Sequence, residues 1–448
     1  MNSKVTTKME LVETISRETI RPFSPTPPEK RLYNLSFLDH FNPSIYVPIV
    51  YFYTNQSSDI GSINSSNISN QLKKSLSKAL ALYYPFAGRI KDRVSIDCND
   101  DGVVFVETRI KCKLSEVLEN PKEEILELLF ADRLQWKDWS SNSFLAIQIS
   151  FFESGGIAIG FCISHKLADT ATMINFINLW ASIARNSGVD HQETLFPEFN
   201  AASRFPHHDD LPLIPEAKIA KGNSHSKRFV FTASKIDALK AEVADKVQNP
   251  SRVEVVTAII HKAAISASKS SSGGSSNPNV LVQSVNMRTR TNPPLPETSV
   301  GNMSWFYAVP SMGEKEIKLH DLVGKLKESL TSFCKKYAER FIGKDWSKLI
   351  MECMKDTKQL FHGNNLVVYR YSSWCRFPLY EADFGWGKPI WVTIGSCELK
   401  NSIIMMDTRG GDGIEAIVNL EKEDMDVFEN DLELLQFASL NPGAIMVE

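Results

Sequence analysis

The chain has 448 residues, 43% hydrophobic and 23% charged, which is the make-up of a folded chain with a sizeable core and not of a disordered one. Fifty Lys and Arg stand against 53 Asp and Glu, a net charge of −3, so no general field draws nucleic acid or an anionic membrane. The opening Met1-Asn2-Ser3-Lys4-Val5 lacks the apolar region of a secretory signal, and no run approaches the roughly 18 apolar residues of a membrane span. Seven scattered cysteines without a CxxC pair argue against a disulfide framework or a structural zinc site. A reduced, soluble, cytoplasmic chain without a metal is expected.

The apolar run Ile45 to Tyr53 is rich in β-formers, and the Ser/Asn-rich stretch Asn55 to Asn70 has the composition of a loop. Ser69 to Tyr83 carries Leu72, Leu76, Leu80 and Tyr83 at helical spacing. Gly156 to His165 alternates, with large Ile157, Ile159, Phe161 and Ile163 at odd positions and small Ala158, Gly160, Cys162 and Ser164 at even ones, so a strand is expected. Thr170 to Arg185 returns to helical spacing through Met173, Phe176, Ile177, Trp180 and Ile183. The proline-containing segment 186–226 suits a long connection. Beyond it, helices are expected at Ile236–Lys246, Val253–Ser266 and Ile317–Lys336, strands at Leu281–Met287 and Pro389–Ile394, and a Ser/Gly loop over Ser268 to Pro278. The interleaving indicates an α/β fold with two halves of similar size, 1–190 and 227–448, on either side of a linker over 191–226.

His165 stands where the strand IAIGFCIS ends and the next helix is about to begin, a position where a polar group faces a crevice on rigid backbone. A neutral imidazole there can take a proton from an attacking hydroxyl. Asp169, four residues on, either orients the ring or pairs with an arginine to hold the turn. An HxxxD spacing arises often by chance, and a core histidine beside an N-cap aspartate is the competing reading. The string Asp383-Phe384-Gly385-Trp386-Gly387 is much rarer, about one chance occurrence in twenty thousand such chains. It has the chemistry of a turn: two glycines free the backbone, two aromatics anchor it, and Asp383 calls for a cationic partner.

HKLAD and DFGWGKP together resemble the plant BAHD acyltransferases, which use acyl-CoA. YPFAGRI (Tyr84 to Ile90), DCNDDGVVF (Asp97 to Phe105), NMRTRTNPPLP (Asn286 to Pro296), Gly301-Asn302 and SSWCR (Ser372 to Arg376) extend the resemblance over essentially the whole chain. It is greatest to the alkaloid and terpenoid O-acetyltransferases of that family. The resemblance implies two mixed-sheet α/β domains of the chloramphenicol-acetyltransferase type, joined by a crossover loop, with a channel between them. It implies His165 as general base and Asp169 as a positioning residue paired with an arginine. It also implies that Asp383 pairs with Arg288, or alternatively Arg290, tying the DFGWG turn to the second half.

For the reaction centre, the resemblance offers Ser372 and Trp374 as oxyanion donors, with a small serine and a core tryptophan as the alternative. It offers Ser251, Arg252, Thr257 and Ser284 as coenzyme A contacts, with Lys262 and Lys227 as further cations for a phosphate. His261 is taken as structural. The segment Ser299 to Met303 departs from the YFGNC signature of anthocyanin malonyltransferases, against an anthocyanin acceptor and, more weakly, against malonyl-CoA. The expected activity is acetyl transfer from acetyl-CoA to a hydroxyl of an alkaloid or terpenoid by a monomer with no resident cofactor. Another acyl group or acceptor (an acylsugar, a shikonin-type or phenolic alcohol, an amine) is the alternative. A hydrolase or a non-catalytic binding protein is the more distant one.

Overall fold

The computed structural model describes residues 11–54, 65–137, 143–153, 155–185, 196–207, 211, 224–274, 277–310, 317–361, 366–397 and 399–444. Alternation and apolar runs build two large mixed sheets. The first has six strands in the spatial order Val12–Ile20, Val103–Ile110, Leu145–Phe152, Ile157–Ser164, Tyr46–Tyr53 and Trp391–Thr393. Within it only Val103–Ile110 and Leu145–Phe152 run parallel. The second has seven, in the order Ser304–Pro310, Asn279–Asn286, Val367–Ser373, Ser402–Asp407, Ile414–Glu421, Ser224–Phe231 and Ser439–Leu440. Helices Ser65–Leu82 and Thr170–Arg185 cover the first sheet, and Ala233–Val243, Arg252–Ser271 and Leu319–Lys336 cover the second. Among the described residues no helix is long and apolar enough to cross a membrane.

The strand leading to the site shows how the sequence pattern becomes packing. Ile157, Ile159, Phe161 and Ile163 enter the core shared with the two helices, whereas Ala158 and Cys162 enter a second core under residues 126–131. All eight residues of Ile157–Ser164 are buried, so the small even positions serve close approach and not solvent exposure. The helix Thr170–Arg185 begins and ends where the spacing places it.

Three readings of organisation need correction. The Ser/Asn-rich stretch is helical from Ser65, and the Ser-rich segment after 266 stays helical to Ser271. There, Ser270 and Ser272 return their hydroxyls to the carbonyls of Ser266 and Ser268 four residues back, and Ser271 reaches Asp424. The residues 55–64, 275–276 and most of the linker (191–195, 208–210, 212–223) lie outside the described residues. The division at 227 also breaks down near the C-terminus. Trp391–Thr393 leaves the second half and pairs antiparallel with Val50–Phe52, closing the edge of the first sheet.

Gly160 tests the close approach: a Cβ there would run into the backbone carbonyl of Leu129, with Phe130 close behind. Gly160→Ala is expected to destabilise the chain by about 1–3 kcal/mol, because backbone cannot retreat as a flexible side chain would. Urea unfolding followed by circular dichroism measures it, and an unchanged midpoint would count against this packing.

Candidate active site

His165 follows the strand Ile157–Ser164, and its backbone N–H donates to Ile45 O (2.9 Å). Its ring Nδ1 lies 3.0 Å from Asn302 Oδ1. The orientation of that amide is settled by its other contacts: Asn302 Nδ2 donates to the carbonyl of His165 (2.9 Å) and to Asp39 Oδ1 (2.9 Å). Both are acceptors, so the Oδ1 end must face the ring and accept from Nδ1–H. The tautomer is thereby fixed, leaving Nε2 with a free lone pair that can accept a proton. Burial holds the His165 pKa below its ordinary value, opposed by the charge of Asp169 and the Asn302 bond. The ring is therefore neutral at pH 7.

Asp39 stands behind Asn302. Fully buried, it accepts from Ser36 N (2.7 Å), Ser36 Oγ (2.7 Å), Asn302 N (2.8 Å) and Asn302 Nδ2 (2.9 Å). Burial raises its pKa, and these donors pull it back down. The sequence reading passed over Asp39 and gave no role to Asn302. The one local signal was Ser36 with Asp39 three residues on, a capping-box spacing that the structure realises.

Asp169 is both an N-cap and an ion-pair partner. Its Oδ1 accepts from Thr172 N (2.9 Å) at the start of the helix, while Arg288 binds both oxygens, at 2.7 and 3.1 Å. Arg288 is 0% exposed. It also donates to Ser299 O (2.7 Å), Gly301 O (3.1 Å) and Thr172 Oγ1 (3.1 Å). The expected Asp383–Arg288 bridge is thus overturned, because the fork of Arg288 is spent on Asp169.

Asp383 pairs instead with Arg185, at 3.7 Å, at the far end of the same helix. The DFGWG turn therefore docks on the first half, contrary to expectation. The cause is the return of the chain to the first sheet: Phe384 packs edge-on against Trp180 (4.8 Å) and Tyr53 Oη donates to Ala382 O (2.8 Å). Asp383 Oδ1 accepts from Gly385 N (2.8 Å) and Gly387 N (2.9 Å), with both glycines at positive φ (110° and 100°). Phe384 and Trp386 stack on each other at 5.7 Å. Arg290 donates to Asn286 O and is not the partner either.

His165 lines a cavity of about 150 Å³ together with Ser284, Arg370, Ser372 and Trp374, walled by Ile45, Val47 and Met173 among others. Trp374 Nε1 donates to Ser372 Oγ (3.2 Å), which leaves the serine O–H as the donor available to a ligand. Of the four coenzyme A candidates only Ser284 lines this cavity. Ser251 caps the helix Arg252–Ser271 in a capping box with Glu254; Arg252 binds Asp407 (3.1 Å); Thr257 is buried against Met405. Lys262 and Lys227 are paired with Glu433 (2.7 Å) and Glu429 (3.0 Å). His261 is buried between Tyr369 and Tyr371, and desolvation lowers its pKa to about 3. Among the described residues no cluster of three or more His, Cys, Asp or Glu could hold a metal.

Two stability measurements follow. Asp169→Ala strands the Arg288 cation in the interior, where such losses cost about 3–5 kcal/mol. The double variant with Arg288→Ala should fall short of the sum by about 0.5–3 kcal/mol, and additive melting losses would dismiss the pair. At the far end, Arg185→Ala should cost no more than about 1 kcal/mol, since the pair is half-exposed. Asp383→Ala, which removes the acceptor of one exposed and one partly buried N–H, should cost about 0.5–1.5 kcal/mol, and Asp383→Asn, which keeps an acceptor oxygen, should recover most of it in the same melts.

The Transferase family model matches residues 10–435. The 17,18-epoxy-17-hydroxycur-19-ene N-malonyltransferase of Strychnos nux-vomica is 41% identical over 96% of this chain and 91% of its own length. The stemmadenine O-acetyltransferase of Catharanthus roseus is 35% identical over 94% of this chain and 96% of its own. Among solved structures, vinorine synthase superposes with a TM-score of 0.82 at 34% identity, over 97% of this chain and all of that one. Matches of this extent place the chain in the Transferase family, among the BAHD-type acyl-CoA-dependent acyltransferases.

Proposed function

We propose that this enzyme transfers a short acyl group, acetyl in the first instance, from its coenzyme A thioester directly to a hydroxyl of a hydrophobic plant metabolite of the alkaloid or terpenoid class. The observation that carries the proposal is the fixed tautomer of His165, whose Nε2 has no partner among the described residues. In this reading Nε2 takes the proton of the acceptor hydroxyl as its oxygen attacks the thioester carbonyl. The tetrahedral oxyanion accepts a hydrogen bond from Ser372 O–H. Collapse expels the coenzyme A thiolate, which takes the proton back from Nε2, and His165 returns to its neutral form. No acyl-enzyme is required. Asp169 stays with Arg288 and acts as a positioning residue.

The apolar lining of Ile45, Val47, Ile163 and Met173 favours a hydrophobic reacting group and excludes competing water. The named activity of the Catharanthus relative favours O-acetylation. A second reading, transfer to an amine with a malonyl donor, has the Strychnos relative in its favour. The same base serves either nucleophile.

His165→Ala is expected to lower kcat for acetyl transfer by about 10²–10⁴-fold. Incubation with an acyl-CoA panel and a plant extract, followed by mass detection of new esters, supplies the acceptor for the assay. The pH profile adds a second readout. Rate requires neutral His165, so it should fall only as pH drops through the His165 pKa, below the 6.5 of a free imidazole. The bond from Asn302 supports the protonated ring. Asn302→Ala should therefore move the acid limb lower still while reducing kcat. Full activity in His165→Ala would refute the base assignment, and an unmoved limb in Asn302→Ala would refute the relay of hydrogen bonds from Asp39 through Asn302 to His165.

A further inference from the structure

The cavity contains one charge that acyl transfer to a neutral alcohol does not use. Side chains of the strand Val367–Ser373 alternate between two faces. Tyr369 and Tyr371 are buried on one, their hydroxyls against Ala264 O and His261 Nδ1. Arg370 and Ser372 share the other and line the cavity with His165. The neighbouring strands add hydroxyls to this face, Ser284 on one side and Ser402, in register with Arg370, on the other. Asp169 is the sole carboxylate lining the cavity among the described residues, and Arg288 already holds it. The guanidinium of Arg370 has no hydrogen-bonding or ion-pair partner among the described residues. Desolvation of the guanidinium against the cavity wall lowers its pKa, although the residue as a whole is exposed.

Arg370 is exposed to solvent as a residue and lines the cavity, so its guanidinium, without a counter-ion among the described residues, is open to an incoming ligand, and its planar fork of donors fits a carboxylate. We propose that Arg370 is a specificity-determining residue that receives a carboxylate carried into the reaction cavity by a substrate. Residues two apart on a strand are about 6.6 Å apart. With the reacting carbonyl on Ser372, a carboxylate one methylene beyond it comes within reach of the Arg370 side chain. The proposal thus rests on the placement of the thioester carbonyl at Ser372. The carboxylate has two sources, the acyl chain of a dicarboxylic half-thioester or the acceptor itself.

The test compares the wild type with Arg370→Gln, which removes the charge, and Arg370→Lys, which keeps it. In the donor arm, calorimetric titrations with malonyl-CoA and acetyl-CoA need no turnover. If the acyl chain is the source, the malonyl-to-acetyl affinity ratio falls about ten-fold in Arg370→Gln, the worth of one charge-assisted pair, and recovers in part in Arg370→Lys. In the acceptor arm, hydroxy acids and their methyl esters are compared as acceptors with acetyl-CoA. If the acceptor is the source, the acid-to-ester ratio of kcat/KM falls by a similar factor. Equal loss of affinity for both thioesters would assign Arg370 to the phosphates of coenzyme A and overturn the proposal. Unchanged ratios in both arms would overturn it as well. Acetyl transfer by the wild type, abolished by His165→Ala, would meanwhile show that the general-base reading stands independently.

Discussion

The arrangement of the site depends on one buried guanidinium. Arg288 comes from the second half of the chain, yet its hydrogen bonds reach across to the turn that carries His165 as well as to its own half. It grips both oxygens of Asp169, touches Thr172 at the helix start and donates to the carbonyls of Ser299 and Gly301. Gly301 precedes Asn302, which holds the imidazole. One side chain therefore fixes the histidine turn and the residue that sets its tautomer. A lysine has no planar fork to bridge these acceptors, and it would leave several buried oxygens unpaired. The cost of burying a charge is tolerable here because all of its donor groups are engaged.

The helix Thr170–Arg185 carries this constraint across the molecule. Its first turn is held by Asp169 and Arg288, and its last residue faces Asp383. The two ends differ in kind. The near end is a buried, hydrogen-bonded network. The far end is a half-exposed ion pair beside a turn that holds itself together through Asp383 and two glycine N–H groups. What anchors that turn to the first half is apolar: Phe384 against Trp180 and Tyr53, continued by the strand Trp391–Thr393 on the sheet edge. The second half thus reaches over the first at one end of the helix and plugs into it at the other, and the cavity is formed where they meet.

Local periodicity made the elements around the site legible. The alternation over residues 156–165 and the helical spacing over 170–185 each reflect one strand or helix seen by one core, and both survive into the structure. His165 and Asp169 were legible for the same reason, since strand end and helix start are local events. Their partners were not. Arg288 lies 119 positions from Asp169, Asn302 lies 137 from His165, and Asp39 lies 263 from Asn302. Nothing in residue type says which of two arginines, 288 or 290, or which of two aspartates, 169 or 383, belongs together, and the pairing drawn from resemblance alone was the wrong one. The serine-rich segments at 65–70 and 268–271 failed differently. Composition suggested loops; at 268–271 the serine hydroxyls instead fold back on carbonyls of their own helix, which leaves them satisfied without breaking it.

The chemistry of the relay explains why a neutral amide, and not a second carboxylate, stands beside the imidazole. Asn302 needs both of its ends: the NH₂ to satisfy Asp39 and the His165 carbonyl, the oxygen to hold Nδ1–H. An aspartate in its place would set two carboxylates against each other in the interior, and one would be forced to take up a proton. If the one at 302 stayed charged, it would stabilise imidazolium and hold His165 in the form that cannot accept a proton. The amide passes on the orientation imposed by buried Asp39 and holds that charge away from the ring, where it raises the His165 pKa by less than burial lowers it. Burial can then keep His165 neutral, and the ring is aimed through Asn302 by a carboxylate that does not itself contact it.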